Sequence, residues 1–413
     1  MFTALRRVYI GSISGEAFEV SRQTIESVQI LRFIAALIVV LDHCTFVGKM
    51  IAARSNTPFH FPMFPGRLGV DIFFIISGFI MVYISSDGGR WTITPAAFFQ
   101  NRWIRIAPIY LVATILYVAL YFLAGNFERW SLLQYLTSAL FIPYFDEVTK
   151  LPFPILGQGW TLCFEMFFYS IFAIALNLPR RASLVFLCVV FFSLVLVGLI
   201  WNFVSGSVFV LTPMPTRADF IVPRFWLHSI ILEFLAGILL AMLREHIMAR
   251  HQLWSFAFPI SVCLAIIVAY ILQANLTDDY LKPFPSLIRF SCALSVVAIC
   301  VLTTSKNRSA WLQNMLVFLG GCSYSLYLFH PHVIFLMDSL WKRLGALADI
   351  KAFVVVGTLL SILVSVAVYL SLETRMIRLF NTMRPKIAKA SQAYAAEASK
   401  TLSSHQLASP PEG

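Results

Sequence analysis

An arginine and a histidine stand in an otherwise apolar segment, "LRFIAALIVVLDHC", as Arg32 and His43. In an α-helix, eleven residues make three full turns and about 20° more, so the two side chains share one face. They are about 16 Å apart along the helix axis. An imidazole can accept a proton from a hydroxyl group, and a guanidinium can bind a phosphate. Asp42 points about 100° away from His43 on the same helix, which disfavours it as a partner of the histidine.

Two carboxylates in other apolar segments could complement this histidine. Asp71 lies in "RLGVDIFFIISGFIM" and Glu165 lies in "GQGWTLCFEMFFY", the second and fourth apolar runs. Both runs cross in the direction opposite to the first, which places the two carboxylates at about the depth of His43. A histidine with an orienting carboxylate is the minimum set for removing a proton from a hydroxyl group. We therefore predict His43, Asp71 and Glu165 as catalytic residues, and which carboxylate contacts the histidine stays open.

A pair of arginines predicts an anion-binding site at the opposite depth. Arg102 and Arg105 stand one helical turn apart in "QNRWIRIAPIY", so their side chains face the same way. Guanidinium groups suit phosphate recognition, and Arg32 lies at the same predicted depth. The alternative is that Arg102 and Arg105 are flanking charges that set membrane orientation, while Arg32 reaches for lipid headgroups.

Four further polar residues are predicted to support the site: Ser77, Tyr169, Tyr327 and His330. A purely structural role for His330 is an equal alternative. The segment "SYSLYLFHPHVI" also carries His332, but residues two positions apart on a helix do not face each other, and no third ligand stands at a suitable spacing. We predict no metal site.

The composition requires that these residues sit in a membrane protein. The chain of 413 residues is 59% hydrophobic and only 12% charged, against about 25% charged residues in soluble domains. The formal net charge of +11 is spread over short loops, which indicates membrane orientation and not nucleic-acid binding. The seven cysteines lie in or beside apolar runs without a Cys-x-x-Cys, which predicts neither disulfides nor zinc.

Ten apolar runs are long enough to cross a bilayer as helices, so the predicted fold is an all-α polytopic membrane protein. The runs cover 28–47, 66–85, 104–124, 160–178, 183–204, 225–243, 253–274, 286–304, 323–341 and 352–372. The shorter run 130–143 is predicted to re-enter or to lie at the interface. Lys and Arg are more frequent on the side that holds both termini, which predicts cytoplasmic termini.

Three parts of the chain are therefore expected. Residues 1–27 form an N-terminal cytoplasmic segment, which lacks the apolar core and cleavage site of a signal peptide. Residues 28–372 form the transmembrane domain. Residues 373–413 form a cytoplasmic tail, rich in Ala, Ser and Lys and predicted to be disordered towards its end.

Five ordered motifs across residues 25–372 resemble the acyltransferase 3 family of bacterial integral-membrane O-acyltransferases, which includes O-antigen, exopolysaccharide and nodulation-factor acetylases. The motifs are "LRFIAALIVVLDH", "GVDIFFIISGF", "RWIRIAPIY", "WTLCFEMFFY" and "SYSLYLFH". The resemblance implies that Arg32 and His43 are functional, and that Arg102 and Arg105 handle the acyl donor. It also implies acyl-coenzyme A, with acetyl as the expected acyl group, as co-substrate, and a location in the bacterial inner membrane.

These expectations combine into one hypothesis. The arginines would bind the coenzyme A phosphates, and His43 would act as general base on a hydroxyl of a polysaccharide, lipid-linked sugar or lipo-oligosaccharide. Direct transfer and an acyl-histidine intermediate both stay open. No bound cofactor and no nucleic-acid partner are expected. The alternative is a transporter or flippase for a glycan or lipid-linked sugar, which would also place His, Asp and Glu inside the bilayer.

Overall fold

The protein is predominantly α-helical in the part of the chain that the computed structural model describes. That part comprises residues 25–59, 61–62, 64–87, 89–125, 130–146, 152–206, 222–249, 254–255, 283–304, 311–344 and 349–383. The predicted span 253–274, apart from two residues, lies outside it, as do residues 1–24 and the tail beyond residue 383. The all-α prediction is confirmed, whereas the count of ten spans and the cytoplasmic termini remain predictions.

Helices account for nearly all of the described chain. They are α1 (Glu26–Arg54), α2 (Gly66–Ser85), α3 (Pro95–Leu123), α4 (Leu132–Ala139), α5 (Gly159–Ala175), α6 (Arg180–Ser205), α7 (Val222–Phe225), α8 (Ile231–Ala249), α9 (Pro283–Leu302), α10 (Trp311–Gly321), α11 (Ser323–Leu344), α12 (Ile350–Val368) and α13 (Thr374–Met383). A π-helical turn, Tyr369–Glu373, follows α12 directly.

Strands are confined, in the residues described, to two short pairs. β1 (Ser86–Asp87) runs antiparallel to β2 (Arg90–Trp91), and β3 (Trp254–Ser255) runs parallel to β4 (Thr303–Thr304). Two-residue strands cannot form a core of their own. They act as local connections between helices.

Five helical segments of the described chain are long and apolar enough to cross a membrane. They are Glu26–Arg54, Gly66–Ser85, Pro95–Leu123, Arg180–Ser205 and Ile350–Thr382. Two shorter apolar helices, Gly159–Ala175 and Leu287–Leu302, accompany them. With every backbone hydrogen bond made inside a segment, such helices suit a bilayer, and the protein is a multi-pass membrane protein.

The outward surface of α6 fits that environment. Large apolar side chains recur there every three or four residues, which places them on one face of the helix. Those more than half exposed include Val185, Val189, Phe192, Leu196 and Phe203. A water-soluble protein rarely exposes a continuous apolar face of this kind, so lipid is its natural neighbour.

The helix α3 begins earlier than the predicted span at residue 104. Thr94 caps the helix by accepting a hydrogen bond from the Ala97 backbone N–H at 3.3 Å, and Pro95 suits the first helical position. The earlier start places Arg102 and Arg105 well inside a helix. Their spacing of one helical turn, which was assumed from the sequence, therefore holds in the structure.

The short run 130–143 forms a helix too short to cross a bilayer. α4 has eight residues, and a capping box between Ser131 and Gln134 fixes its start. The prediction that this run does not span is consistent with that length. The helix α10, by contrast, was not predicted, because its eleven residues fall below the length of a membrane span.

Close packing joins α2 to α8 through two glycines. The Cα of Gly78 faces the backbone carbonyl of Phe234, and the Cα of Gly237 faces that of Ile75, so an added Cβ would overlap the opposite backbone. Small residues commonly allow membrane helices to approach in this way. The contact fixes the position of α2, which carries Asp71 and Ser77.

The helix α1 lies at the centre of the described bundle. Its apolar face packs against α11 and α12 in a cluster that contains Phe33, Ala36, Val40, Cys44, Leu326, Val333, Ile334, Phe353 and Val354. This packing surrounds the helix that carries Arg32 and His43. Both residues are therefore held by a well-packed support.

Aromatic rings set the rotation of α5. Phe168 stacks on Phe234 with ring centroids 4.5 Å apart, and Phe164 stacks on Phe225 at 4.3 Å. Stacked aromatic pairs of this kind hold helices in a defined orientation. Because Phe164 and Phe168 occupy one face, Glu165 and Tyr169 share a different face, which is turned towards the arginines described below.

Candidate active site

Arg32 and His43 belong to the same unbroken helix, as their spacing predicts. α1 runs without interruption through both positions, and both side chains are half-buried. Eleven residues of helix separate them by about 16 Å along the axis. The structure therefore divides the candidate site into a histidine end and an arginine end.

The partner of His43 is a second histidine. The Nδ1 atom of His43 lies 2.8 Å from Nε2 of His330, and the two rings stack with centroids 5.0 Å apart. His330 is completely buried, and its own Nδ1 lies 3.0 Å from the backbone carbonyl of Leu326. The predicted supporting residue His330 is thus in direct contact with the predicted base.

Tyr327 lies beside this histidine pair and connects it to α5. Its hydroxyl is 3.0 Å from Oγ1 of Thr161, and it donates to the backbone carbonyl of Gln158 at 3.3 Å. The Tyr327 and His330 rings are 6.2 Å apart between centroids. The structure therefore brings this predicted supporting residue to the histidine end.

Asp71 does not make the predicted contact with His43. Its carboxylate pairs with the guanidinium of Arg289 and lies beside Glu233, completely buried between α2, α8 and α9. The start of α2 lies at the level of His43, because Gly66 packs against Asp42, the neighbour of His43. Asp71 lies more than one turn further along α2, about 8 Å from Gly66 along the helix axis. A buried carboxylate needs a compensating charge, and Arg289 supplies it on another side of α2.

Glu165 is also placed away from His43. It accepts a short hydrogen bond from the hydroxyl of Tyr169, one turn along α5. The cations that act on its carboxyl group are Arg102, Arg105 and Arg32. The rotation of α5 turns this carboxylate towards the arginines, and it also acts on Tyr327 beside the histidine pair, so its assignment as a catalytic residue stays a prediction.

The arginine cluster, which we define as Arg32, Arg102 and Arg105, surrounds Glu165 and Tyr169. Arg102 is only 8% exposed, and its guanidinium lies over the Tyr169 ring at 5.8 Å. The Nε atom of Arg102 has no hydrogen-bond partner among the described residues. A buried guanidinium with a vacant donor is suited to bind an anion.

Two further residues lie at the arginine cluster, and the sequence analysis predicts only one of them. Ser77 lies beside the Tyr169 hydroxyl, which places this predicted supporting residue at the arginine end. Glu373 was not predicted: its buried carboxylate accepts a hydrogen bond from Ser325, and Arg105 and Arg32 act on it. The π-helical turn that ends in Glu373 gives no periodic signal, although a carboxylate directly after an apolar run could have drawn attention.

The arginine end differs from the histidine end in carrying an excess of positive charge. Three guanidinium groups of the arginine cluster are accompanied by two described carboxylates, Glu165 and Glu373. Arg105 is exposed while Arg102 is buried, so the positive charge extends from the surface into the bundle. The arrangement can bind a polyanion at one end and can perform proton transfer at the histidine pair.

Comparison with known proteins assigns the class. The chain matches the family described as "Acyltransferase domain" over residues 25–370, and it belongs to that acyltransferase 3 family. It is therefore a membrane acyltransferase of the O-acyltransferase type. The acyltransferase prediction is confirmed over the alternative of a transporter or flippase.

Two relatives illustrate the range of the family. The chain is 34% identical over 330 residues to the exopolysaccharide production protein ExoZ of Rhizobium meliloti (strain 1021), covering 79% of this chain and 93% of the relative. It is 27% identical over 294 residues to a putative acetyltransferase, ORF330, of Acidianus two-tailed virus, covering 69% and 77% respectively. No solved structure matches the chain at a significant level.

Proposed function

We propose that this protein transfers an acyl group, acetyl in the first instance, from acyl-coenzyme A to a hydroxyl of a cell-surface or lipid-linked carbohydrate. The observation that carries the proposal is the position of α1, which carries His43 of the pair His43–His330 and, about three turns away, Arg32 beside the buried Arg102 with its unpaired Nε. The names of the two relatives, one an exopolysaccharide production protein and one a putative acetyltransferase, support the choice of acceptor and acyl group.

The acyl donor binds at the arginine cluster. Coenzyme A carries phosphate groups, which planar guanidinium groups recognise through paired hydrogen bonds. Arg105 is exposed and meets the phosphates first, whereas Arg102 has the vacant Nε inside the bundle. The extended pantetheine arm then follows α1, so that the thioester reaches the depth of His43.

His43 acts as general base. Its imidazole takes the proton of the acceptor hydroxyl while the hydroxyl oxygen bonds to the thioester carbonyl carbon. The carbon–sulfur bond then breaks, and the coenzyme A sulfur receives the proton from the imidazolium, which regenerates the neutral base. Direct transfer of this kind needs no covalent intermediate on the protein.

Glu165 acts on the arginine cluster in this proposal and not on His43. Its carboxylate lies among Arg32, Arg102 and Arg105 and limits their mutual repulsion before the acyl donor arrives. Asp71 has a structural role, because its carboxylate is paired with Arg289. Cytoplasmic termini would place the arginine cluster near the cytoplasm, where acyl-coenzyme A is made, and would place the acceptor on the outer side of the bacterial inner membrane.

The main test compares wild-type protein with His43→Ala in lipid nanodiscs. Radiolabelled acetyl-coenzyme A is supplied with the polysaccharide and lipid-linked sugar fraction of cells that lack the protein. We expect wild-type protein to release free coenzyme A only when this fraction is present, and His43→Ala to lose roughly 10²- to 10⁴-fold in kcat. Binding of coenzyme A should be unchanged in His43→Ala, since the arginine cluster is intact.

Two results would contradict the proposal. Full transfer activity in His43→Ala would show that His43 is not the general base. If wild-type protein released no coenzyme A with any acceptor fraction, acyl-coenzyme A would not be the acyl donor. Mass spectrometry of surface glycans from cells with and without the gene identifies the acyl group by mass and the acceptor sugar by fragmentation. An unchanged glycan profile would exclude a cell-surface carbohydrate as acceptor.

A further inference from the structure

His330 lies between His43 and a backbone carbonyl of its own helix. Its Nδ1 is 3.0 Å from the Leu326 carbonyl. Its Nε2 faces Nδ1 of His43 at 2.8 Å. Two hydrogen-bonding contacts thus hold a completely buried ring in one orientation.

The carbonyl contact determines where the hydrogens lie. A carbonyl oxygen only accepts, so Nδ1 of His330 must carry its hydrogen and donate to Leu326. A neutral imidazole has one N–H, so Nε2 of His330 is an acceptor. Nδ1 of His43 must therefore be the donor in the contact between the two rings, and Nε2 of His43 is left with a free lone pair.

Pro331 contributes to this arrangement. It lies inside α11 and has no backbone N–H, so the carbonyl of Tyr327, four residues earlier, lacks the donor that an ordinary helix would provide. That carbonyl lies in the helical turn before His330 and favours a ring nitrogen that carries hydrogen.

We propose that His330 is a positioning residue that fixes the tautomer of His43, so that Nε2 of His43 is the basic nitrogen of the acyl transfer. The inference rests on the proposed function of His43 as general base. When Nε2 takes the proton of the acceptor hydroxyl, Nδ1–H of the imidazolium donates a charge-assisted hydrogen bond to neutral His330. Hydrolase triads use a carboxylate in this position. A neutral imidazole does the same inside a bilayer without an unpaired buried negative charge.

A matched pair of substitutions tests the role of the acceptor atom. His330→Gln keeps an oxygen that can accept from Nδ1–H of His43, whereas His330→Met has a similar length without a strong acceptor. We expect His330→Gln to retain kcat within about 10-fold of wild type, and His330→Met to lose a further 10- to 100-fold. The KM for acetyl-coenzyme A should stay unchanged in both, because the arginine cluster is intact.

His332 provides the control on the same helix. It is also buried, but its Nε2 lies 2.8 Å from the Ala113 carbonyl on α3 and not against His43. The same two substitutions, His332→Gln and His332→Met, should differ little from each other in kcat. A difference between Gln and Met that appears only at position 330 identifies the acceptor atom as the cause.

A second readout is independent of activity. Nitrogen-15 NMR of histidine-labelled protein, with His43 assigned by its loss in His43→Ala, should show hydrogen on Nδ1 and none on Nε2 at neutral pH. The opposite tautomer, or equal kcat in His330→Gln and His330→Met, overturns the positioning role while the proposed function stands. Full activity of His43→Ala would overturn the proposed function itself, so the two failures are distinguishable.

Discussion

Two groups of buried charges lie in this bundle, and they are balanced differently. In the paired cluster, defined as Asp71, Glu233 and Arg289, the guanidinium bonds Asp71 and the two carboxyl groups bond each other. In the arginine cluster, cations outnumber the accompanying carboxylates, and Nε of Arg102 has no hydrogen-bond partner among the described residues.

The difference shows which buried charges are available for a ligand. An ionisable residue inside a membrane is a functional candidate by default, and both groups meet that criterion. Among the described residues, the arginine cluster contains an unpaired donor, Nε of Arg102, whereas the unpaired buried atom of the paired cluster is an acceptor, Oε2 of Glu233. The paired cluster connects α2, α8 and α9 and is positioned next to the close glycine contact between α2 and α8. We interpret it as a structural element.

The largest expected effect in stability comes from breaking the paired cluster. Arg289→Ala leaves the carboxyl group of Asp71 buried without its cation, and removal of one partner of a buried ion pair costs roughly 3–5 kcal/mol. Thermal unfolding of the detergent-solubilised protein should show a clearly lower Tm. The surviving folded fraction should bind coenzyme A with wild-type affinity.

A double variant controls this prediction. Asp71→Asn combined with Arg289→Gln removes both charges and keeps polar groups, so it should recover much of the lost stability. If Arg289→Ala instead weakens coenzyme A binding at unchanged Tm, the paired cluster is part of the binding site. The distinction between the two regions would then be wrong.

The next largest effect is expected in acyl-donor affinity. Arg102→Met combined with Arg105→Met removes two guanidinium groups from the arginine cluster while keeping apolar side-chain volume. Charge-assisted hydrogen bonds contribute about 1.5–3 kcal/mol each, so the Kd for coenzyme A should rise by at least 10-fold. Isothermal titration calorimetry with coenzyme A and with pantetheine, which has no phosphate, separates the phosphate contribution. In the double variant only the binding of coenzyme A should weaken.

Stability serves as the control for the arginine variant. Arg102 also lies over the Tyr169 ring and acts on Glu165, so its removal should lower Tm, but by less than Arg289→Ala does, because Arg32 remains beside Glu165. A large drop in Tm together with unchanged coenzyme A affinity would contradict the assignment of the arginine cluster to the acyl donor.

The sequence predicts this division only in part. The spacing of Arg32 and His43 and the one-turn spacing of Arg102 and Arg105 are local helical properties, and the structure reproduces both. Depth along a helix also predicts Asp71 and Glu165 near His43. The structure pairs Asp71 with Arg289 instead, because depth alone does not specify which face of a helix meets which neighbour.

The pairings that the sequence does not predict depend on contacts between distant parts of the chain. His330 meets His43 from a helix almost three hundred residues later, and Arg289 meets Asp71 from α9. The rotation of α5, which turns Glu165 towards the arginines, is set by Phe164 and Phe168 against rings of other elements. A single sequence contains the rings and charges, but the pairings between them arise only when the helices pack.

The smallest expected effect tests the link between Glu165 and the arginine cluster. Tyr169→Phe removes the hydroxyl that donates to Glu165, so the carboxylate can turn to the guanidinium of Arg102 instead. Competition from this new pair should raise the KM for acetyl-coenzyme A about 3- to 10-fold, as expected for one lost hydrogen bond, with kcat unchanged. Tyr110→Phe is the matched control, because the buried hydroxyl of Tyr110 contacts Ser138 at 2.8 Å and not the arginine cluster. A lower kcat at constant KM in Tyr169→Phe would instead place Glu165 in the chemical step, and would restore the original expectation that this carboxylate assists His43.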